Sequence, residues 1–365
     1  MDNLTHSLFG LTLARTPLRR AGRGAAAALL LASNAPDIDI VTTAGGALPY
    51  LQWHRGPTHG PLGVVGLASV VAAIVWAGDR WQSSRRGVRS DASWLALWGI
   101  SIVGVLGHVL LDLPTSYGTR PLSPWSWHWY GLDWLPIVDV YLLALLGGGL
   151  WLGRTRSAQS APSWTSGRVA TATLVLMAGW YGVRGAAHAE AIRLAPRVLA
   201  ADLAPACPDA VPPQAGLDAW PRAFEREIGR DRPAPCLLEL AALPSFVSPW
   251  RWRLVARQTG GYIVSDVILG ADASAAPARV RQVPDHWTPT AVTAAVSPLA
   301  HVFLGFSRFP ATRLEPQADG STSVHWHDLR FYVGDEQDSV TARRGSFRAR
   351  VDVSASGAIT RAELP

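Results

Sequence analysis

Histidines and aspartates recur in this chain in short, widely separated stretches: Pro36-Asp37-Ile38-Asp39, His54-Arg55-Gly56-Pro57-Thr58-His59 and Gly107-His108-Val109-Leu110-Leu111-Asp112. Imidazole nitrogen with carboxylate oxygen is the donor set of a catalytic metal site, and ionisable groups beside apolar spans are costly enough to point to function. On a helix, His108 and Asp112 share a face four residues apart and can reach a common ion. The same spacing also allows a helix-end histidine bonded to its own aspartate. Asp37 and Asp39 follow Pro36 in a short connection, where one carboxylate can bind an ion while the other orients a ligand histidine. The alternative is an Asx turn that caps the next segment. The turn predicts exposure, whereas metal binding predicts partial burial beside His59. Gly56 and Pro57 bend the chain between His54 and His59, so the two rings need not point apart. His6, taken alone, reads as a capping or solvent histidine.

Together, His6, Asp37, Asp39, His54, His59, His108 and Asp112 exceed what one four-coordinate ion needs. They suit two or three divalent ions sharing carboxylate bridges, as in two-metal hydrolases with ions about 3.5–4 Å apart. Phosphoester or phosphodiester cleavage by a metal-activated water is the natural chemistry. Asp39 or Asp112 is the expected base, and Arg55 the expected partner of a substrate phosphate. Mixed nitrogen and oxygen donors suit zinc, the expected metal, and also manganese or iron. The chain has no His-Glu-x-x-His motif and no Gly-x-Ser-x-Gly elbow, which argues against peptidase and serine-hydrolase chemistry.

The elements that must position these residues are membrane-like. Residues 61–78, 95–113, 134–153 and 169–187 are each expected to cross the bilayer, a span of about 20 residues for a core of about 30 Å. The apolar stretch 25–35 is too short to cross alone. With 4–14 it is expected to form a re-entrant or half-crossing pair shielded by the longer helices. No cleavable signal peptide is evident ahead of Thr5-His6.

All 33 basic residues are arginines, which excludes a lysine nucleophile, a Schiff base and a P-loop lysine. Arg15, Arg19, Arg20 and Arg23, then Arg80, Arg85, Arg86 and Arg89, then Arg154, Arg156 and Arg168 mark three cytoplasmic loops by the positive-inside rule. That distribution favours a bilayer over nucleic acid as the partner of the +6 net charge. It also puts His6, Asp37, Asp39, His59, His108 and Asp112 on one, non-cytoplasmic face.

Residues 154–168 read as a solvated loop, and 191–249 as a linker or irregular lead-in rich in proline and alanine. From about Trp250 the pattern turns to period two. Residues 251–256 and 262–268 flank the hairpin signal Thr259-Gly260-Gly261, and 323–333 and 346–353 are further strand candidates. The expected fold is a multi-span α-helical membrane domain (1–190) followed by a small β-rich extracytoplasmic domain (250–365). Cys207 and Cys236 fall in the extracytoplasmic part, where a disulfide is expected. His325 and His327 share one face of a strand, read as exposed rather than metal-binding.

Thr5-His6, Pro36-Asp37-Ile38-Asp39, His54-Arg55-Gly56-x-Thr58-His59 and Gly107-His108-x-x-x-Asp112 with Thr115-x-x-Gly118 resemble, in that order, the YdjM/DUF457 family of membrane-bound metal-dependent hydrolases. The resemblance covers roughly residues 1–155 and includes 132–139, the polar-aromatic stretch before the next span. That family is similar in its histidine-aspartate pattern to zinc-dependent phospholipases C and related nucleases, which implies phosphodiester hydrolysis over a zinc cluster. Carried over residue by residue, it implies His6, Asp37, His59, His108 and Asp112 as ligands, with Asp39 and His54 less securely assigned and Asp139 a lower-tier candidate. Gly60 stands where serine is common in the family, and Pro57 is an unusual middle residue. The function expected is a membrane-bound hydrolase of a lipid-like phosphoester in a bacterial-type inner membrane. The alternative, since some members of the family bind a regulatory protein, is a non-enzymatic metal-binding or interaction protein.

Overall fold

The computed structural model describes residues 1–90, 92–158, 163–208, 216–221, 235–270, 280–331 and 347–364. The chain divides into two compact units. The first is Met1–Val41 with Trp53–Ala186 and Phe246–Ser248, and the second is Thr42–Gln52 with Ala187–Ser245 and Pro249–Pro365.

The first unit is helical. Helix α1 (Asn3–Leu13) starts where the Asp2 carboxylate accepts from the Thr5 amide at 3.0 Å, which satisfies one of the free donors of its first turn. Helix α2 (Ala25–Ala32) runs through Ser33 into a 3₁₀ segment, Ala35–Gly45, bent by 46° from it. After α3 (Ala47–Trp53), which belongs to the second unit up to Gln52, comes the long apolar pair α4 (Pro61–Arg85) and α5 (Trp94–Asp112). Among the described residues, α4 and α5 are the helices long and apolar enough to cross a membrane, and α2 with its 3₁₀ extension qualifies as a broken or re-entrant span.

The packing of α4 and α5 agrees with a lipid environment. Ala68, Ala72, Leu97 and Val105 are buried in the core with Leu29 and Ala32 of α2. On the opposite faces Leu62, Val65, Val70, Ile74, Leu95, Leu106 and Leu110 are exposed. Leaving each such side chain in water forfeits about 1.5–3 kcal/mol of burial, so a helix apolar all round belongs in hydrocarbon.

Two expected spans come out differently. The helix expected from residue 134 is α6 (Val140–Ala158), starting at Val140 after the β1 strand (Trp129–Gly131) and a loop. Asp133 holds a left-handed φ of 56°, the Trp134 and Leu135 amides both donate to the Pro114 carbonyl, and the Asp139 carboxylate caps Leu142 N at 2.8 Å. These backbone commitments stop the helix from extending backward, and the apolar part of α6 is shorter than a full span. The stretch 169–187 lies inside α7 (Ser163–Val198), which is not among the helices apolar enough to cross. The expected 154–168 loop is largely helical, the ends of α6 and α7 flanking residues 159–162, which lie outside the described residues.

The second unit carries a two-residue-wide strand pattern on two antiparallel sheets. After the short β2 (Asp218–Trp220), β3 (Leu237–Pro244), β4 (Arg251–Gln258), β5 (Gly261–Ile268) and β6 (Arg281–Pro284) lie side by side in that order. Gln258 pairs with Gly261 across a Thr259-Gly260 turn in which Gly260 takes φ +87°, a conformation that suits glycine. The strand β3 begins ahead of Trp250. Helices α8 (Pro289–Ala295) and α9 (Pro298–Phe306), bent by 93°, precede the second sheet of β7 (Pro310–Pro316), β8 (Thr322–Asp328), β9 (Arg348–Val353) and β10 (Ile359–Glu363). Of the expected strand 323–333, residues 332 and 333 lie outside the described residues, as does 346 of the last. Cys207 and Cys236 are joined in a disulfide. Within this unit Arg308 pairs with Glu239 at 3.1 Å and with Asp218, all three buried.

Candidate metal centre

Helix α5 delivers two of the predicted residues from one face. His108 Nε2 lies 3.3 Å from Asp112 Oδ2, one turn on, and both side chains are fully buried. His108 Nδ1 lies 2.8 Å from the Ser33 carbonyl, which can only accept, so Nδ1 carries the proton and Nε2 presents a lone pair. This contact depends on Gly104: a Cβ there would sit 2.7 Å from the Ala32 Cβ and 3.3 Å from Ser33 N, so only glycine lets the end of α2 come this close to α5.

His59 enters from the loop before α4. Its Nε2 is 3.2 Å from His108 Nε2 and 3.3 Å from Asp112 Oδ2. Its Nδ1 is 3.0 Å from Thr58 Oγ1, whose hydroxyl donates to Asp39 Oδ2 at 3.4 Å, so Thr58 accepts from Nδ1 and leaves Nε2 with its lone pair. Asp37 Oδ1 completes the set, 3.5 Å from His108 Nε2. One ligand atom from each of Asp37, His59, His108 and Asp112 lies within 4.8 Å of the others.

Asp37 and Asp39 part company because of the winding of their segment. At about three residues per turn, positions two apart point roughly 120° away from each other. Asp37 meets His108, while Asp39 turns toward His54 Nδ1 at 3.1 Å, the Arg55 amide at 2.7 Å and Thr58. The structure thus places Asp39 and His54 in a layer behind His59, outside the four-residue group. Asp39 is buried and 3.8 Å from His59 Nδ1, as a supporting carboxylate should be.

Arg55 sits at φ 51°, strained for a residue with a side chain, and is buried. Its Nη1 donates to the Gly118 carbonyl at 2.7 Å, its Nη2 approaches Asp112 Oδ1 at 3.1 Å, and its Cζ lies 4.7 Å above the Tyr117 ring. His6 stacks on His108 with centroids 3.7 Å apart, and its Nε2 is 3.4 Å from Asp112 Oδ1. Neither His6 ring nitrogen makes a hydrogen bond, and the Met1 nitrogen also lies against Asp112 Oδ1. Gly60 has its Cβ position filled by the Ser123 carbonyl, 1.9 Å away, which accounts for glycine following His59.

The donor set fits a metal on three counts. A tetrahedral shell with bonds of about 2.0–2.2 Å sets its ligand atoms about 3.3–3.6 Å apart, close to the separations around His108. Two imidazole lone pairs facing each other at 3.2 Å repel unless a cation lies between them. Asp112 Oδ2 and Asp37 Oδ2 are buried without a hydrogen bond, a costly state for a carboxylate oxygen that a cation relieves. Burial, reinforced by His108 and Arg55, holds the His59 imidazole well below its ordinary pKa, and burial also lowers that of His54 against the pull of Asp39. Both rings are therefore neutral at physiological pH, the form that binds metals.

Asp139 is not part of the group, being occupied as the cap of α6. His325 and His327 lie half-buried on β8, His325 3.4 Å from Glu315, and join no metal-capable group among the described residues. Ser33, Gly104 and Tyr117 escaped the sequence reading. Gly104 and Gly107 within an apolar span were the available signal, since small residues there mark close helix approach.

Apolar helices around a buried histidine-carboxylate group define a membrane protein with a candidate metal centre. Its residues 1–191 match the YdjM inner membrane protein family, and the chain belongs to that family. It is also similar to the uncharacterized protein YfhP of Bacillus subtilis (strain 168), 28% identical over 150 residues. That match covers 39% of this chain and 43% of YfhP, so the chain spans less than half of that relative. No solved structure matches the chain.

Proposed function

We propose that this protein is a metal-dependent hydrolase of the inner membrane that cleaves a phosphoester or phosphodiester of a lipid-like substrate, with its second unit on the extracytoplasmic side. The observation that carries the reading is the facing pair of His59 and His108 Nε2 atoms at 3.2 Å, closed by Asp112 and Asp37. Asp37, His59, His108 and Asp112 would hold a divalent ion, zinc by preference, which supplies Lewis acidity toward a phosphoryl oxygen and acidifies water. Ser33 and the Thr58–Asp39 pair keep the two imidazoles in the tautomer that binds. Asp37 is the least buried of the four, and its Oδ2 accepts no hydrogen bond, so it is the carboxylate placed to take a proton. Asp39, with oxygens engaged by His54, Thr58 and the Arg55 amide, serves as a support.

The choice of a lipid-like substrate rests on the surroundings. Exposed Trp53 and Trp127 pack edge to face at 5.5 Å, and Trp127 reaches the Gly56 position in the His54–His59 loop. Indole rings concentrate at headgroup depth. The arginine-rich loops and the Cys207–Cys236 disulfide support the extracytoplasmic orientation.

The test is metal analysis of the detergent-purified chain together with hydrolysis of a broad phosphoester panel. Wild type is expected to hold metal and turn over, and His59→Ala and His108→Ala to lose both. Unchanged metal in both variants would sink the site assignment. Stoichiometric metal with no turnover would favour a non-enzymatic metal-binding or regulatory protein.

A further inference from the structure

The two oxygens of Asp112 face different surroundings. Oδ2 looks toward His59 and His108, each 3.3 Å away, and so toward the four-residue group. Oδ1 looks toward Arg55 Nη2 at 3.1 Å, with the Met1 nitrogen against it and His6 3.4 Å away. A carboxylate that bridges two ions presents one oxygen to each. Here the position of the second ion is next to a guanidinium.

We infer that the centre is mononuclear and that Arg55 is its built-in second cation, taking the place that another metal holds in two-metal hydrolases. The inference rests on the metal reading above and revises the two or three ions suggested by the number of candidate ligands. Arg55 cannot step aside easily. Its Nη1 is tied to the Gly118 carbonyl at 2.7 Å, its guanidinium lies over Tyr117, and its own amide is held by Asp39 at 2.7 Å. A guanidinium stays protonated at any physiological pH, so its charge is permanent. A dication bound to Oδ1 at about 2.0–2.2 Å would lie against that charge with little water to screen it. Asp39, another carboxylate close by, points away toward His54.

The arrangement also suits an anionic substrate. Two-metal sites clamp a phosphate between two cations, and an arginine presents the same charge with fixed, directional donors. One ion plus Arg55 would supply that clamp from a single metal.

The experiment counts ions on the full-length chain in detergent, saturated with zinc, desalted and measured by plasma mass spectrometry. One ion per chain is expected. Two would overturn the inference while leaving the metal reading intact, and fewer than half an ion would overturn both. Electron paramagnetic resonance of the manganese-loaded chain gives an independent readout: an isolated six-line spectrum is expected, and an exchange-coupled spectrum would refute a single ion. In Arg55→Met the fixed guanidinium is gone and only the Met1 nitrogen and His6 remain beside Asp112 Oδ1, so occupancy should rise from one toward two. One ion held with unchanged affinity in that variant would overturn the role given to Arg55.

Discussion

The contact between Ser33 and His108 depends on the absence of a side chain at Gly104. In Gly104→Ala the new methyl would start 2.7 Å from the Ala32 Cβ. Carbon atoms prefer about 3.5–4.0 Å, so α2 and α5 must separate locally by about 1 Å. The 2.8 Å bond from His108 Nδ1 to the Ser33 carbonyl would open to about 3.8 Å, beyond hydrogen-bonding range. Losing such an outer partner of a ligand histidine costs about 10- to 100-fold in metal affinity, or about 1.4–2.8 kcal/mol. Gly99→Ala is the control, because it lies on the same helix with nothing within 4 Å of its Cβ position. Zinc affinity would be read by competition with a chromogenic chelator, and thermal unfolding would confirm that both variants fold. Wild-type affinity in a folded Gly104→Ala, or an equal loss in Gly99→Ala, would refute the reasoning.

Three other outcomes are expected. Asp39→Asn removes the charge facing His54 and one acceptor behind Thr58, so zinc affinity should fall about tenfold without loss of folding, in the same chelator assay. Arg308→Met removes the guanidinium that the buried Asp218 and Glu239 share and should destabilise the second unit by more than about 1 kcal/mol in urea titrations followed by tryptophan fluorescence; a smaller change would contradict a buried ion network. Burial, helped by Arg348, pushes His327 down to about 4 from an ordinary value of 6.5. The unfolded chain binds a proton near pH 6.5 that the folded state refuses until about pH 4, so stability should fall as pH drops through that window, by up to about 3 kcal/mol. Denaturation midpoints between pH 7 and 4 should show this slope in wild type and a shallower one in His327→Gln.

Much of the centre was legible because helix geometry makes spacing informative. His108 and Asp112 had to share a face, and the ends of the apolar stretches had to bring His59 and Asp37 near them. That one of Asp37 and Asp39 would bind and the other orient a histidine was legible, but the geometry that separates them was not, because it depends on the 3₁₀ winding of 35–45 and not on residue type. The Ser33 contact was hidden for a different reason, being a main-chain carbonyl that any residue could present. Apolar composition also overran the start of α6, counting Trp134, Leu135 and Ile137 as helix where Pro136 and the Asp139 cap end the loop. The strand β3 was missed because both faces of Leu237–Pro244 are largely buried, leaving no polar alternation to read.

The tight winding of Ala35–Gly45 also has a mechanical meaning. Its 11 residues rise about 2.0 Å each, against about 1.5 Å in an α-helix, so rewinding the segment would shorten it by about 5 Å. The same rewinding would turn Asp39 by about 40° relative to Asp37. The carboxylate at the centre and the carboxylate behind His59 are thus mounted on one coil, and any change in its winding would move both together.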